Sequence, residues 1–417
     1  MRVTRENAQR WILMVVLSLS GGIIFFLPFL QELYYRPLTE ALNLTNTEVG
    51  SLLSIFGATS LLCYVPGGWL ADRVSPRILI SASLMMTGIS GLYFSTFPSY
   101  GVSLAIHALW GVTITLLFWC AMLRVTRSWG AVTDQGRAYG TLEMGRGLGE
   151  LISASATLAL FIYLGSDKVA LSAVIIMFSL IIIGLGVLSF FTIQGDAGGP
   201  LNRISDSPMS IDSVMQVLRM KQVWLITLIV FCGYCAYWGT LRLTSYSTDI
   251  FFMSAALAAL LSSGKLWVKP FAAFGIGVLA DRYGVARTIS SLFIVLLLAF
   301  LIFAFLPGSA NFLPIMIANV AVASIAVFGI RGIYYALLEE TGVPFEMTGV
   351  ATGVICMVGL SPDIFMPLVG GMLIDAHPGP LGYRYFFLIV AGLCLVGVAA
   401  GALVTRVWTH ADSIRHP

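Results

Sequence analysis

The residues of this sequence that could do chemistry are charged side chains inside long apolar stretches. Glu143, Arg146 and Glu150 recur at steps of three and four, and Lys265 and Lys269 are four residues apart. In a helix, such steps place side chains on one face. A charge in apolar surroundings is costly unless it is paired, hydrogen-bonded or close to water. Each of these two clusters therefore needs a charged partner or a polar cavity.

Single charged residues occur in other apolar runs. Glu32 and Arg242 lie at similar positions of two such runs, where they would close an outer gate or hold a zwitterion. Asp363 lies between two prolines, which predict a kink that exposes backbone polar groups. Glu150 and Asp363 are the candidate proton carriers, because a carboxyl in apolar surroundings can hold a proton.

Aromatic residues accompany these charges, and several lie away from the ends of the runs. Trp and Tyr near the ends are typical of a membrane-interface belt, so the deeper ones are candidates for the walls of a binding site. With the charged residues they form the predicted substrate-binding set: Glu32, Trp110, Tyr234, Tyr237, Trp238, Arg242, Lys265, Lys269, Arg331 and Tyr334.

The composition indicates what must position these side chains. The chain has 417 residues, of which 58% are hydrophobic and 10% charged, whereas a soluble domain carries about 25% charged residues. A helix that crosses a bilayer needs about 20 mostly apolar residues. The sequence predicts an all-α membrane protein of twelve transmembrane helices. They lie near residues 11–35, 48–71, 77–96, 100–124, 137–164, 169–193, 222–249, 253–280, 287–306, 312–338, 346–374 and 384–405.

Lysine and arginine are distributed unevenly between the two sides of these helices. Of the 23 such residues, five lie within helices and only Arg36, Lys168 and Arg384 fall on the side opposite the N-terminus. Because basic residues concentrate in cytoplasmic loops, both termini are predicted to be cytoplasmic. The short loops favour a bacterial inner membrane.

The chain divides into two halves that repeat each other. The polar stretch 194–221 is rich in Gly and Pro and predicts a cytoplasmic linker between six-helix bundles at 1–193 and 222–417. Gly68, Asp72 and Arg73 follow predicted helix 2. The triplet returns as Gly277, Asp281 and Arg282 after predicted helix 8. Two repeats of six helices around a central path are typical of transporters.

The segment from Gly68 to Arg77, GWLADRVSPR, resembles the signature G-x-x-x-D-[RK]-x-G-[RK]-[RK] of the major facilitator superfamily. The second copy keeps Gly284 and ends at Arg287. The resemblance implies the major facilitator fold, two pseudo-symmetric six-helix bundles, and secondary active transport by alternating access. It also implies a cytoplasmic gate that closes and opens through charges. Its residues are Gly68, Asp72, Arg73, Arg77, Gly277, Asp281 and Arg282.

Within that superfamily, the segment 72–77 is most similar to organophosphate:phosphate antiporters and organic-anion carriers. Those carriers hold phosphate between arginines of helices 1 and 7. Here Arg242 lies on predicted helix 7, but predicted helix 1 offers only Arg36, at its far end.

The superfamily resemblance also implies that helices 5 and 8 face each other across the two halves. It therefore implies a charge pairing between Glu143, Arg146 and Glu150 on one side and Lys265 and Lys269 on the other. The alternatives are a static ion pair that only offsets its own burial cost, or lysines that bind an anionic substrate directly.

Basic residues outnumber acidic ones within the predicted helices, which favours an anionic substrate. We predict a monomeric secondary transporter of a small polar organic anion, coupled to protons or to a counter-substrate. No metal, cofactor or nucleic acid is predicted. A carrier of a neutral or zwitterionic solute, such as a sugar, nucleoside or peptide, is the alternative. A receptor or membrane enzyme on this scaffold is a remote one, because the four histidines have no metal-binding spacing.

Overall fold

A computed structural model describes residues 2–129, 135–193, 211–344 and 347–415. The side chains of residues 2–8, 65, 72, 127–129, 135–140, 143, 211–214, 348–349 and 407–415 are outside the description.

Every regular element within the described ranges is helical. The α-helices are α1 (Arg2–Ile23), α2 (Gln31–Leu42), α3 (Asn46–Arg73), α4 (Pro76–Phe94), α5 (Tyr100–Val112), α6 (Cys120–Trp129), α7 (Gln135–Tyr163), α8 (Lys168–Thr192), α9 (Ile211–Arg219), α10 (Lys221–Leu241), α11 (Leu243–Asp249), α12 (Ala255–Tyr283), α13 (Val285–Phe305), α14 (Leu313–Ile333), α15 (Leu337–Glu340), α16 (Thr348–Gly359), α17 (Pro362–Ala376) and α18 (Pro380–Arg415). A π-helical segment, Thr113–Trp119, joins α5 to α6, and 3₁₀ turns lie at Ile24–Phe26, Ala310–Phe312 and Tyr334–Ala336.

Ten helical stretches within the described ranges are long and apolar enough to cross a membrane. The other two predicted transmembrane helices, the fifth and the eighth, correspond to α7 and α12, which have 29 residues each. These two carry the clusters of intrahelical charges, which lower their mean hydropathy. The structure confirms the predicted all-α membrane architecture.

The first and the eleventh predicted helices are interrupted near polar residues. In the first, α1 and α2 are separated by turns, and Tyr34 within α2 has a non-helical backbone (φ −123°, ψ 44°). The eleventh is divided into α16 and α17 at Leu360 and Ser361. Pro362 has no N–H to continue the ladder, so the predicted kink is confirmed, and it places Asp363 in the first turn of α17.

The packing of the chain defines two compact units. The first comprises Met1–Asp206 with Ala255–Ser263, and the second Ser207–Ser254 with Gly264–Pro417. In the first unit α4 packs on α8 and α1 on α7; in the second α13 packs on α18 and α10 on α16. These are corresponding pairs of the sequence repeat, so each unit uses the same helix partners. Of the predicted linker, α9 lies within the described residues.

Small residues allow these helices to approach closely. On α1, a Cβ at Gly22 would lie 2.5 Å from the carbonyl oxygen of Arg146 on α7. On α4, a Cβ at Gly88 would lie 2.9 Å from the carbonyl oxygen of Ser179 on α8. Membrane helices associate through such close van der Waals packing, because lipid provides little hydrophobic driving force.

We predict that Gly22→Ala lowers the melting temperature of the purified protein, because its new methyl group meets backbone rather than a movable side chain. Overpacking of this kind costs about 1–3 kcal/mol. Gly147→Ala on α7 is the matched control, since no described atom lies within 4 Å of its Cβ position. Equal melting temperatures for the two variants would show that the α1–α7 contact is not tight at Gly22.

Candidate substrate-binding site

One face of α10 carries three polar aromatic side chains. Tyr237 and Trp238 lie three and four residues after Tyr234, which places both beside Tyr234 on the helix surface. The rings of Tyr234 and Tyr237 are 5.6 Å apart, and Tyr237 also contacts Phe328 of α14. The second unit therefore presents an aromatic surface between α10, α14 and α17.

Asp363 of α17 binds to this surface through two hydrogen bonds. Trp238 donates its indole N–H to Asp363 Oδ1 at 2.9 Å, and the Tyr234 hydroxyl donates to Oδ2 at 3.4 Å. The break before α17 brings the carboxyl group to this position. Each carboxyl oxygen thus has one neutral donor.

Arg331 of α14 lies on the same aromatic surface. Its guanidinium carbon is 4.0 Å from the centre of the Tyr237 ring and 5.4 Å from that of Tyr234. A guanidinium over an aromatic face is attracted by the ring quadrupole. Among the carboxylates whose side chains the structure describes, none lies within salt-bridge distance of Arg331. The cation is held by rings rather than by a counter-ion.

Two other basic residues of the predicted substrate set in this unit, Arg242 and Lys265, bind backbone carbonyls. Arg242 is buried and donates to the carbonyl oxygen of Pro367 in α17. Lys265 is only 3% exposed and donates to the carbonyl oxygen of Thr240 at 3.0 Å. Lys269 is half-buried one turn further along α12. Arg242 and Lys265 therefore connect the C-terminal end of α10 to α17 and α12.

Tyr334 follows Arg331 by three residues and is buried. Its ring packs edge-on against that of Tyr335, with ring centres 4.5 Å apart. An apolar groove of about 450 Å³ lies between α12 and α14, lined by Trp267, Phe271, Ile276 and Ile325 among others. The charged cluster and this groove are separate features of the second unit.

In the first unit, the structure places Trp110 in the core. It has no exposed surface, packs edge-on against Phe94 and beside His107, and donates its indole N–H to the Ser90 hydroxyl at 2.8 Å. Glu32 is half-buried in the first turn of α2. Both residues belong to the first unit, whereas the cluster around Arg331 belongs to the second.

On the charged face of α7, Arg146 contacts two other segments of the first unit. Arg146 donates to the carbonyl oxygen of Gly21 at 3.2 Å, and its guanidinium carbon lies 5.0 Å from the Trp119 ring centre. Glu150 is half-buried, and the side chain of Glu143 is outside the description. The pairing of this face with Lys265 and Lys269 stays a prediction.

Both copies of the repeated motif, Gly68–Arg73 and Gly277–Arg282, lie where a helix ends. Arg73 is the last residue of α3 and stacks over Trp69 at 4.3 Å, whereas Arg77 on α4 lies 3.8 Å from the Phe190 ring centre. Asp281 and Arg282 are exposed at the end of α12. The side chain of Asp72 is outside the description, and at Gly68 and Gly277 no described atom would touch a Cβ.

Two residues that connect the regions of these motifs to neighbouring helices were not predicted from the sequence. Glu340 accepts hydrogen bonds from the backbone N–H groups of Val285 at 2.7 Å and Ala286 at 3.2 Å, and so caps α13. Arg124 donates to the carbonyl oxygen of Ala71 near the end of α3. Their positions at helix ends were the only available signal, because a cap from another helix leaves no local pattern.

The sequence of residues 11–355 matches the Major Facilitator Superfamily, and the chain belongs to this superfamily. It is therefore a multi-pass membrane transporter and not an enzyme. The match covers both units and agrees with the resemblance of the loop signature.

Two proteins of Escherichia coli (strain K12) are similar over nearly their whole length. The inner membrane protein YihN is 27% identical over 403 residues, which cover 95% of this chain and 96% of YihN. The inner membrane protein YqcE is 28% identical over 420 residues, with coverages of 98% and 97%.

Solved structures share the fold at low sequence identity. A bacterial homolog of the human lysosomal transporter Spinster, inward-facing and unoccupied, matches with a TM-score of 0.76 at 14% identity, covering 96% of this chain and 98% of that one. The nucleoside transporter NupG matches with a TM-score of 0.73 at 15% identity, with coverages of 95% and 98%.

Trp110→Phe should lower stability by about 1 kcal/mol, the net contribution of one hydrogen bond, and leave the transport KM unchanged. Ser90→Ala removes the same bond from the other side, and the double variant should lose no more than either single variant. The measurement is a double-mutant cycle on thermal unfolding. A changed KM in Trp110→Phe alone would place this indole against the substrate.

Proposed function

We propose that this transporter moves a small polar organic anion across the membrane by alternating access, coupled to protons or to a counter-substrate. The observation that carries the proposal is Arg331, which is held on two tyrosine rings and has no described carboxylate at salt-bridge distance.

The chemistry of the guanidinium supports an anion as its ligand. Its planar group has five N–H donors arranged around the edge, and stacking on a ring occupies the face and leaves donors at the edge. Arg331 is only partly buried, so a solute can reach it. A carboxylate or phosphate would bind such an edge through two parallel hydrogen bonds.

Asp363 is the proposed proton-coupling residue of the second unit. Its two partners, Trp238 and Tyr234, are neutral donors, so the carboxyl group is not fixed in its ionised form by a salt bridge. Protonation changes the charge of the cluster by one unit. Glu150, on the charged face of α7, is the alternative proton carrier in the first unit.

The second candidate function is transport of a neutral or zwitterionic solute with proton coupling. The observation that favours it is the carboxyl of Asp363 beside Arg331's aromatic surface, since an acid and a base in one cluster suit a solute with both kinds of group. The similarity of fold to the nucleoside transporter NupG is compatible with it.

We further propose that both termini are cytoplasmic, as in the predicted topology, and that the chain works in a bacterial inner membrane. The repeated motifs Gly68–Arg73 and Gly277–Arg282 would then form the cytoplasmic gate. The capping of α13 by Glu340 is compatible with that role, because it joins the second motif to the end of α15.

Arg331→Gln should abolish stabilisation by organic anions, whereas Arg331→Lys should retain a weak effect because it keeps the charge but not the planar donors. The loss in affinity should be about 10- to 100-fold, as for a charge-assisted hydrogen bond. The measurement is a thermal-shift titration with lactate, succinate, gluconate and glycerol phosphate. The matched control is Arg384→Gln, which removes another arginine that lies over a ring in this unit. Equal loss in both variants would remove the support for an anion site at Arg331.

Asp363→Asn should keep substrate exchange in proteoliposomes and lose accumulation driven by a pH gradient, because asparagine cannot carry a proton. Glu150→Gln is the comparison variant. If Asp363→Asn accumulates substrate normally and Glu150→Gln does not, the coupling residue lies on α7.

A further inference from the structure

Tyr234 is the one described side chain that contacts both charges of the cluster. Its hydroxyl donates to Asp363 Oδ2 at 3.4 Å, and its ring centre lies 5.4 Å from the Arg331 guanidinium carbon. Its neighbour Tyr237 contacts Arg331 more closely, at 4.0 Å, but does not bind Asp363. The two tyrosines thus differ in their relation to the carboxyl group.

An arginine and an aspartate that are both partly buried in one cluster would ordinarily pair. Opposite charges attract far more strongly in apolar surroundings than in water, and an unpaired buried charge is costly. Here each charge instead has its own neutral partners: two donors for the carboxyl group and two ring faces for the guanidinium. These partners replace the ion pair.

We infer that Tyr234 is a positioning residue that keeps Asp363 away from Arg331, so that Arg331 stays open to an anion and anion binding is linked to proton binding at Asp363. This inference rests on the proposed function, because it assumes that Arg331 holds the anion.

The linkage follows from the charges. An ionised Asp363 places a negative charge beside an anion bound at Arg331 and repels it, and a proton on Asp363 removes that repulsion. By reciprocity, the bound anion favours the proton to the same extent. Proton and anion are therefore taken up together. The anion affinity should fall by up to tenfold for each pH unit over which Asp363 ionises.

The neighbours of Asp363 leave few other groups that could produce this pH dependence. The described titratable or charged side chains of the neighbouring helices are Lys221, Cys232, Tyr234, Cys235 and Tyr237 of α10, Arg331 of α14, Cys356 of α16, and Tyr383, Arg384, Tyr385, Cys394 and Arg406 of α18, with Arg242 directly after α10. Four of these side chains bind other groups. Arg242 binds the carbonyl of Pro367, and Arg384 binds the carbonyl of Ala304. Cys356 binds the hydroxyl of Tyr335, and Tyr383 binds the carboxyl group of Asp249. Arg331 and Tyr234 are the members of this set that interact with Asp363.

The test compares Tyr234→Phe with Tyr237→Phe. Both variants keep a ring beneath Arg331, but only Tyr234→Phe removes a donor from Asp363. We expect Asp363 to turn towards Arg331 in Tyr234→Phe, with an anion affinity at least tenfold lower at high pH. Tyr237→Phe should keep the wild-type pH dependence. The probe is gluconate, whose carboxylate stays ionised throughout, titrated by calorimetry between pH 5.5 and 8.5, a range of about three pH units.

A double variant makes the result independent of any general loss of stability. Tyr234→Phe with Asp363→Asn should recover the affinity of Asp363→Asn alone, because no carboxylate remains to capture Arg331. Recovery supports the inference. Equal pH dependence in Tyr234→Phe and Tyr237→Phe, or no recovery in the double variant, overturns it. Anion binding that survives Arg331→Gln with its pH dependence intact would instead refute the proposed function.

Discussion

The cost of a charge in apolar surroundings governs how this chain is built. Three of the basic residues in its predicted transmembrane helices donate to backbone carbonyls of other helices: Arg146 to Gly21, Arg242 to Pro367, and Lys265 to Thr240. Such hydrogen bonds hold one helix against another, so these cations have a structural role. Arg331 differs, because its described contacts are tyrosine side chains rather than the backbone of another helix. The anion site proposed above is at this residue.

The two units share a scaffold but differ in their chemistry. The offset that carries Gly68 to Gly277 also carries Phe25 to Tyr234 and Phe29 to Trp238. Both donors to Asp363 thus correspond to phenylalanines in the first unit, and Asp363 itself corresponds to an alanine, Ala154. The repeat kept the packing positions and confined this polar cluster to the second unit. An asymmetric site of this kind suits an asymmetric solute.

The break between α16 and α17 also contributes to this polar cluster. An unbroken helix through residues 348–376 would satisfy its own backbone, but Pro362 removes one donor and the chain turns at Leu360 and Ser361. In membrane proteins irregular backbone is tolerated only where protein or a polar cavity covers it. Here the side chains of Trp238 and Tyr234 face the break. The break and the aromatic surface of α10 therefore depend on each other.

The sequence by itself determined the class of protein, the places of the helices, the internal repeat and the kink before Asp363. Those features depend on apolar length, proline geometry and spacing along the chain, which are local. Only the tertiary structure decided that Trp110 lies in a core while Trp238 binds Asp363, although both are tryptophans deep in apolar helices. Likewise, Arg331 and Lys265 are both intrahelical cations, yet Arg331 packs against aromatic rings and Lys265 donates a hydrogen bond to a backbone carbonyl. The reason is physical: Trp238 and Asp363 are 125 residues apart, and whether such groups meet depends on which helix faces pack together.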